Sequence, residues 1–390
     1  MSESIDALLS PGLRFLLREV CLPGDRSEPL PAPLSLSQLF EEAKRQKIAG
    51  LFSAWAARQD FPLPADIKDA LTAIQYQNSI RALALIAASQ RASSCIGAAG
   101  IDALIVKGPL LSKRFYGDYA IRHAGDVDLL VAPECAADAD HALRQRGYTR
   151  IKPVKELSPR RLELYLQTQH EFCYRSPESD ILIELHWRYS DSRSLSPHEF
   201  AGIWQRSERL SVAGQELAVP SAADVFIHLA IHGAVDGWFR LKWIADLPRV
   251  LARVAPAELS SVLATTRSAA IARPLALALE LAGGVHAHFA NLPECSASIQ
   301  DLLLRHVARR LQSNHDEVRG PPHKIRDTLD GYRYKLHLTQ SAASSLELVY
   351  ANMITPGDFD RISFADSLTP MLPWIAQMHR AWRGLRPDHG

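Results

Sequence analysis

The stretch HAGDVDLLV, residues 123 to 131, sets Asp126 and Asp128 one residue apart at the head of an apolar run. Leu129, Leu130 and Val131 read as a strand entering a core, and in a strand positions i and i+2 share a face. The two carboxylates therefore project together, about 7 Å apart along the chain. Two readings fit these residues alone. In one, the pair holds a hard divalent cation, which relieves the cost of placing two acids beside a buried strand. In the other, Asp126 turns the chain after Gly125 while Asp128 pairs with a nearby arginine such as Arg122.

Neighbouring segments favour the metal. Upstream, ALIVKG (103 to 108) is a β-branched run ending in Gly108, where phosphates can approach the backbone and meet the N-terminus of the next helix. Lys107 adds a point charge there. Downstream, DILIELHWRY (180 to 189) carries Glu184 inside a strand flanked by Ile, Leu and Trp, an expensive place for an unpaired acid. Three carboxylates on neighbouring strands can hold magnesium ions, and the third acid can also accept a nucleophile's proton.

Working outward, residues 1 to 98 read as a helical region. SLSQLFEEAKRQKIAGLFSAWAARQ is capped by Ser35 or Ser37, and Pro64 opens a second long helix that ends near Gly97 to Gly100. Residues 99 to 220 alternate short strands and helices and close with the hairpin ERLSVAGQELAVPS, which turns at Ala213 and Gly214. Residues 221 to 390 are helical in pattern, with a loop expected over 314 to 325. Residues 99 to 220 thus read as a compact α/β unit between N-terminal and C-terminal helical regions.

LIVKGPLLSKRFYG, IRHAGDVDLLV, ILIELHWRYS and DVFIHLAIHGAVDGWFRLKWIADL, in that order, resemble the bacterial nucleotidyltransferases of the DNA polymerase beta-like superfamily. PGDFDRISFADSLTPMLPWIAQMHRAWR is similar to the tail of the same family. The resemblance implies an α+β fold, a small mixed sheet with helices flanked by N-terminal and C-terminal helical regions, and Mg²⁺-dependent (or Mn²⁺-dependent) transfer of a nucleotidyl group from a nucleoside triphosphate. It assigns Gly108 to the glycine-serine turn, Asp126 and Asp128 to the metal pair, and Glu184 to the third acid. One departure stands out: Pro109 occupies the place of the serine that usually touches the terminal phosphates. A phosphotransferase using the same metal site is thereby kept as a lesser alternative, behind a non-catalytic module in which the nucleotide fold serves partner recognition or regulation.

Other residues carry competing readings. Arg122 can bind phosphate or pair with the aspartates. His186, two residues past Glu184, can orient that acid, contact substrate, or serve as a core histidine. In GWFRLKWIADL, Arg240 and Lys242 can reach a triphosphate or lie as helix-surface charge, and at least one is expected to contribute. Trp243 and Asp246 face together at i and i+3 as possible substrate contacts. Glu171 can line the same sheet edge or, as the favoured reading, sit as a solvated strand-end acid, and His123 reads as exposed. His228 and His232 have i,i+4 zinc-ligand spacing, but no third ligand is evident. Phe52, Trp55 and Trp374 are expected to pack in cores or between regions.

Charge narrows the acceptor. With 44 basic and 43 acidic side chains the net charge is +1, so there is no broad field for a long nucleic acid. A small molecule, a saccharide precursor or a protein side chain remains open as acceptor. The five scattered cysteines form no CxxC pair, which predicts free thiols rather than a disulfide framework or thiolate zinc site. No uncharged apolar run of about 18 residues and no leader-like N-terminus appear, so a cytoplasmic protein without membrane partners is expected.

Overall fold

The computed structural model describes residues 4–384 apart from 25–29, 31–32, 60–62, 197–198, 265–268, 284–295, 314–320 and 364–365. The five-stranded sheet has the order β1-β2-β5-β4-β3, from Leu104–Ile105 (β1), Asp126–Leu130 (β2), Thr149–Lys152 (β3), Glu171–Arg175 (β4) and Leu182–His186 (β5). β2 and β5 run parallel and the other pairs antiparallel. The sheet is thus small and mixed, as expected. β1 covers only two residues of the run 103 to 108.

Alternation along these strands separates two faces. Val127, Leu129, Ile183, Leu185, Phe172 and Tyr174 are all buried in one apolar cluster with Ile86 and Ile96 of the helix Ala65–Ala98. Asp126, Asp128, Glu184, His186, Glu171 and Cys173 occupy the other face by the same parity. A one-residue slip in any of these strands would exchange the faces, so burial of the apolar set fixes where the acids point.

The helices are held by local chemistry that the sequence displays. Ser35 and Gln38 form a reciprocal capping box at the start of Leu36–Arg45. Gly117, left-handed at φ 80°, ends Pro109–Tyr116. The hairpin of β6 (Glu208–Val212) and β7 (Gln215–Val219) turns through Ala213 and Gly214. Part of the expected 314–325 loop is instead helical, since Pro321–Leu338 is one helix; residues 314–320 lie outside the described residues. Pro at the first turn suits that start, because its missing N–H would have no intrahelical partner.

Packing regroups the linear order. Phe52 and Trp55 from the N-terminal helices share a core with Phe226, Ile231, Leu247 and Leu304 from the C-terminal helices. Phe359 and Leu372, near the other end of the chain, return to the core beneath the sheet. The helix Ala65–Ala98 joins both cores, through Ile67 and Leu71 to one and Leu85 to Ile96 to the other. At about 1.5 Å per residue it spans roughly 50 Å. Trp374, expected to pack, is instead 61% exposed beside Met371 and Met378. Its helix buries the opposite side, with Leu372 and Ala376 in the core.

Cys21, Cys95, Cys135 and Cys173 are free, and Cys295 lies outside the described residues. Among the described residues, no helix is long and apolar enough to cross a membrane.

Candidate active site

The site is built where β2 and β5 run side by side. Asp128 and Glu184 are direct register partners, and Asp126 stands two residues before Asp128 on the same face. Asp128 is buried, whereas Asp126 and Glu184 are partly exposed. Lys107, just past β1, reaches back so that Nζ lies 3.0 Å from Asp128 Oδ1. His186 Nε2 lies 3.2 Å from the same oxygen and 3.5 Å from Glu184 Oε2.

The electrostatics follow from this crowding. The charge of Asp128, and then burial, pushes the Asp126 carboxyl upward. Burial would do the same to Asp128, but Lys107 and the His186 hydrogen bond hold it well below the usual range. Burial opposes the charge on Lys107, yet Asp128, Glu184 and Asp126 together raise it. His186 is likewise opposed by burial but lifted to about 10 by its hydrogen bonds to Asp128 and Glu184 and by Glu171. Asp126, Asp128, Glu184 and Glu171 thus crowd around Lys107 and His186 on one face of the sheet.

Asp128 Oδ2 is buried and has no hydrogen-bond partner. An orphaned carboxylate oxygen in a negative cluster is an expensive arrangement unless a cation completes it. The oxygen donors Asp126, Asp128 and Glu184 suit a hard ion such as Mg²⁺. Among the described residues, Asp128, Glu184 and His186 also form a group whose ligand atoms lie within 4.8 Å of one another.

Gly108 adopts φ 78° and ψ −154° as it opens the helix Pro109–Tyr116. That conformation is essentially reserved for glycine. A Cβ there would lie 3.6 Å from the Asp126 carbonyl oxygen, which is ordinary contact, so strain rather than collision sets the requirement. Gly108→Ala is therefore expected to cost about 1–3 kcal/mol. Chemical denaturation checks this, and an unchanged midpoint and slope would contradict it.

The remaining predicted residues separate. Lys242, at the start of the helix Leu241–Leu251, is close enough to feel Asp126 and Lys107, and burial with the charge of Arg122 lowers its ammonium to about 8. Arg240 instead donates to the Arg45 carbonyl at 2.7 Å and lies over the Phe239 ring. Trp243 is half-buried and packs edge-on against His232 and Phe239.

Arg122 and Asp246 meet each other rather than facing open space. Arg122 Nε and Nη2 donate to both Asp246 oxygens at 2.8–3.0 Å, and the Tyr116 hydroxyl donates to Oδ1 at 2.6 Å. With Asp246 at 0% and Arg122 at 5% exposure, this pair is an internal strut. The expectation that Arg122 pairs with the aspartates is corrected by the same contacts: its carboxylate partner is Asp246.

Several contributors escaped the sequence reading. Arg81 of the long helix donates to the Ala124 and Gly125 carbonyls immediately before Asp126. Gly50 lets the helix Ala49–Ala56 touch the segment before Arg122, since a Cβ there would lie 2.2 Å from the Ile121 carbonyl oxygen. Glu171 is not a solvated end: it lies 3.5 Å from His186 Nδ1, and His170 beside it meets Asp191 at 2.6 Å. His123 is half-buried, and burial plus Lys242 lowers it to about 4. His228 and His232 stack with centroids 5.9 Å apart, but neither joins a group of three metal-competent donors among the described residues.

A family model described as an uncharacterised nucleotidyltransferase matches residues 33–285, well over half of the chain. No curated protein and no solved structure matches it.

Proposed function

Because the chain belongs to this family of nucleotidyltransferases, we propose that it moves a nucleoside monophosphate from a nucleoside triphosphate to a nucleophilic acceptor, with Asp126, Asp128 and Glu184 as the metal-holding acids. The observation that carries this reading is the Asp128–Glu184 register pair, with Asp126 beside it and Asp128 Oδ2 lacking a partner. A divalent cation bound there would screen the triphosphate charge and act as a Lewis acid at the reacting phosphorus.

The chain's own groups would do the rest. Gly108 opens a helix whose first-turn N–H groups lack intrahelical acceptors, a standard anion site. Lys107 and Lys242 add charge for the phosphates, which offsets the hydroxyl that Pro109 does not supply. Glu184 would accept the acceptor's proton as its oxygen attacks the α-phosphorus. The bond from that phosphorus to the β-phosphate bridging oxygen then breaks, and pyrophosphate leaves.

Lys242 gives this reading a pH signature. An ammonium lowered to about 8 is charged below that pH and neutral above it. Nucleotide binding is expected to weaken as pH rises beyond about 8, and the Lys242→Met variant should lose that dependence; calorimetric titration at several pH values checks both. For the reaction itself, the protein is incubated with Mg²⁺ and triphosphates labelled at the α or the γ position. Label from the α position should appear on the acceptor with pyrophosphate released. Transfer of the γ label instead would replace this reading with phosphoryl transfer.

A further inference from the structure

Beside the acidic trio, a second set of donors converges on one carboxylate oxygen. His170 Nε2 lies 3.6 Å and His186 Nδ1 3.5 Å from Glu171 Oε2. The three ligand atoms all lie within 4.8 Å of one another. The opposite nitrogen of each ring is held by a different acid: His170 Nδ1 meets Asp191 Oδ1 at 2.6 Å, and His186 Nε2 meets Asp128 Oδ1 at 3.2 Å.

A carboxylate on the far nitrogen of each ring holds an N–H there, so a cation that displaces the proton from the near nitrogen meets a lone pair directed at Glu171. His186, a cation in the metal-free cluster, would give up its Nδ1 proton on binding. Tetrahedral ligands about 2.1 Å from a zinc ion stand roughly 3.4 Å apart, close to the two separations seen here. The rings themselves lie near parallel, with centroids 5.4 Å apart and an interplanar angle of 26°.

We propose that His170, Glu171 and His186 form a separate site for a borderline transition cation such as Zn²⁺, with a fourth position left for water. Two imidazoles and one carboxylate suit zinc, whereas the oxygen donors of the acidic trio suit magnesium. His186 is 6% exposed and is the shared wall between the two sites. His170 and Glu171 are partly exposed, which gives the ion a way in. Their placement follows from register: Glu171 on β4 stands opposite His186 on β5.

The test uses Co²⁺ as a visible stand-in for Zn²⁺, added to chelator-stripped full-length protein in excess Mg²⁺ so that the oxygen site is saturated. The expected result is one Co²⁺ per chain, with the absorption of a four- or five-coordinate nitrogen and oxygen site, displaced by Zn²⁺. His170→Ala and Glu171→Gln should abolish it, and Asp126→Asn should leave it intact. Asp191→Asn, which keeps the side-chain volume, should weaken binding by about 10- to 100-fold through the His170 tautomer. Circular dichroism establishes that each variant is folded. Absence of stoichiometric Co²⁺ at neutral pH would overturn the proposal. So would binding that survives His170→Ala and disappears in Asp126→Asn, because the ion would then sit on the acidic trio.

Discussion

Asp128→Asn is expected to reduce nucleotidyl transfer by roughly 1,000-fold or more while the protein stays folded. A metal at a phosphoryl centre supplies several kcal/mol of transition-state stabilisation, and each 1.36 kcal/mol is a factor of ten in rate. Asp128 is the most deeply placed of the three acids, and its Oδ2 has no other partner to lose. Asparagine preserves shape, so Val127 and Leu129 keep their places in the core. Lys107 and His186, however, would lose the anion that both approach through Oδ1. The substitution is therefore expected to reduce stability modestly and activity severely. Steady-state kinetics with parallel thermal melting separates the two, and near-normal turnover in a folded variant would remove Asp128 from the metal site.

The largest expected stability effect lies at Asp246. Removing one member of a buried ion pair leaves the other charge unpaired, which costs about 3–5 kcal/mol. Asp246→Ala would strand Arg122 at 5% exposure and free the Tyr116 hydroxyl as well. Replacing both members, as Arg122→Met with Asp246→Leu, should recover most of that loss, because no buried charge remains. The double variant should still be a poorer enzyme if the strut positions the segment that leads into Asp126. Denaturation midpoints for the single and double variants give the stability half. An Asp246→Ala cost below about 1 kcal/mol would show that the pair carries little.

The contrast between those two residues shows what sequence could and could not reveal. Asp126 and Asp128 share a face by parity alone, and Glu184 announces itself as an acid in an apolar strand. Both signals are local. That Asp128 and Glu184 stand opposite one another depends on parallel pairing of strands far apart in the chain, which no local pattern encodes. The Arg122–Asp246 pair is separated by 124 positions, so each residue alone looked like a phosphate or substrate contact. Glu171 and His170 looked peripheral because their meaning comes from the β4–β5 register. A serine cap at Ser35 or Ser37 and the Ala213–Gly214 turn were legible, since each rests on short-range chemistry, whereas the small mixed sheet followed only from the resemblance. The return of Phe359 and Leu372 to the sheet core was not, because apolar spacing says that a helix buries a face but not against what.

The most direct test of the account is calorimetric titration of a non-hydrolysable triphosphate with and without Mg²⁺, on the wild-type chain and on the Asp126→Asn, Asp128→Asn double variant. The account predicts binding that requires Mg²⁺ and vanishes in the double variant. Equal binding without the metal, or equal binding in the double variant, would contradict it.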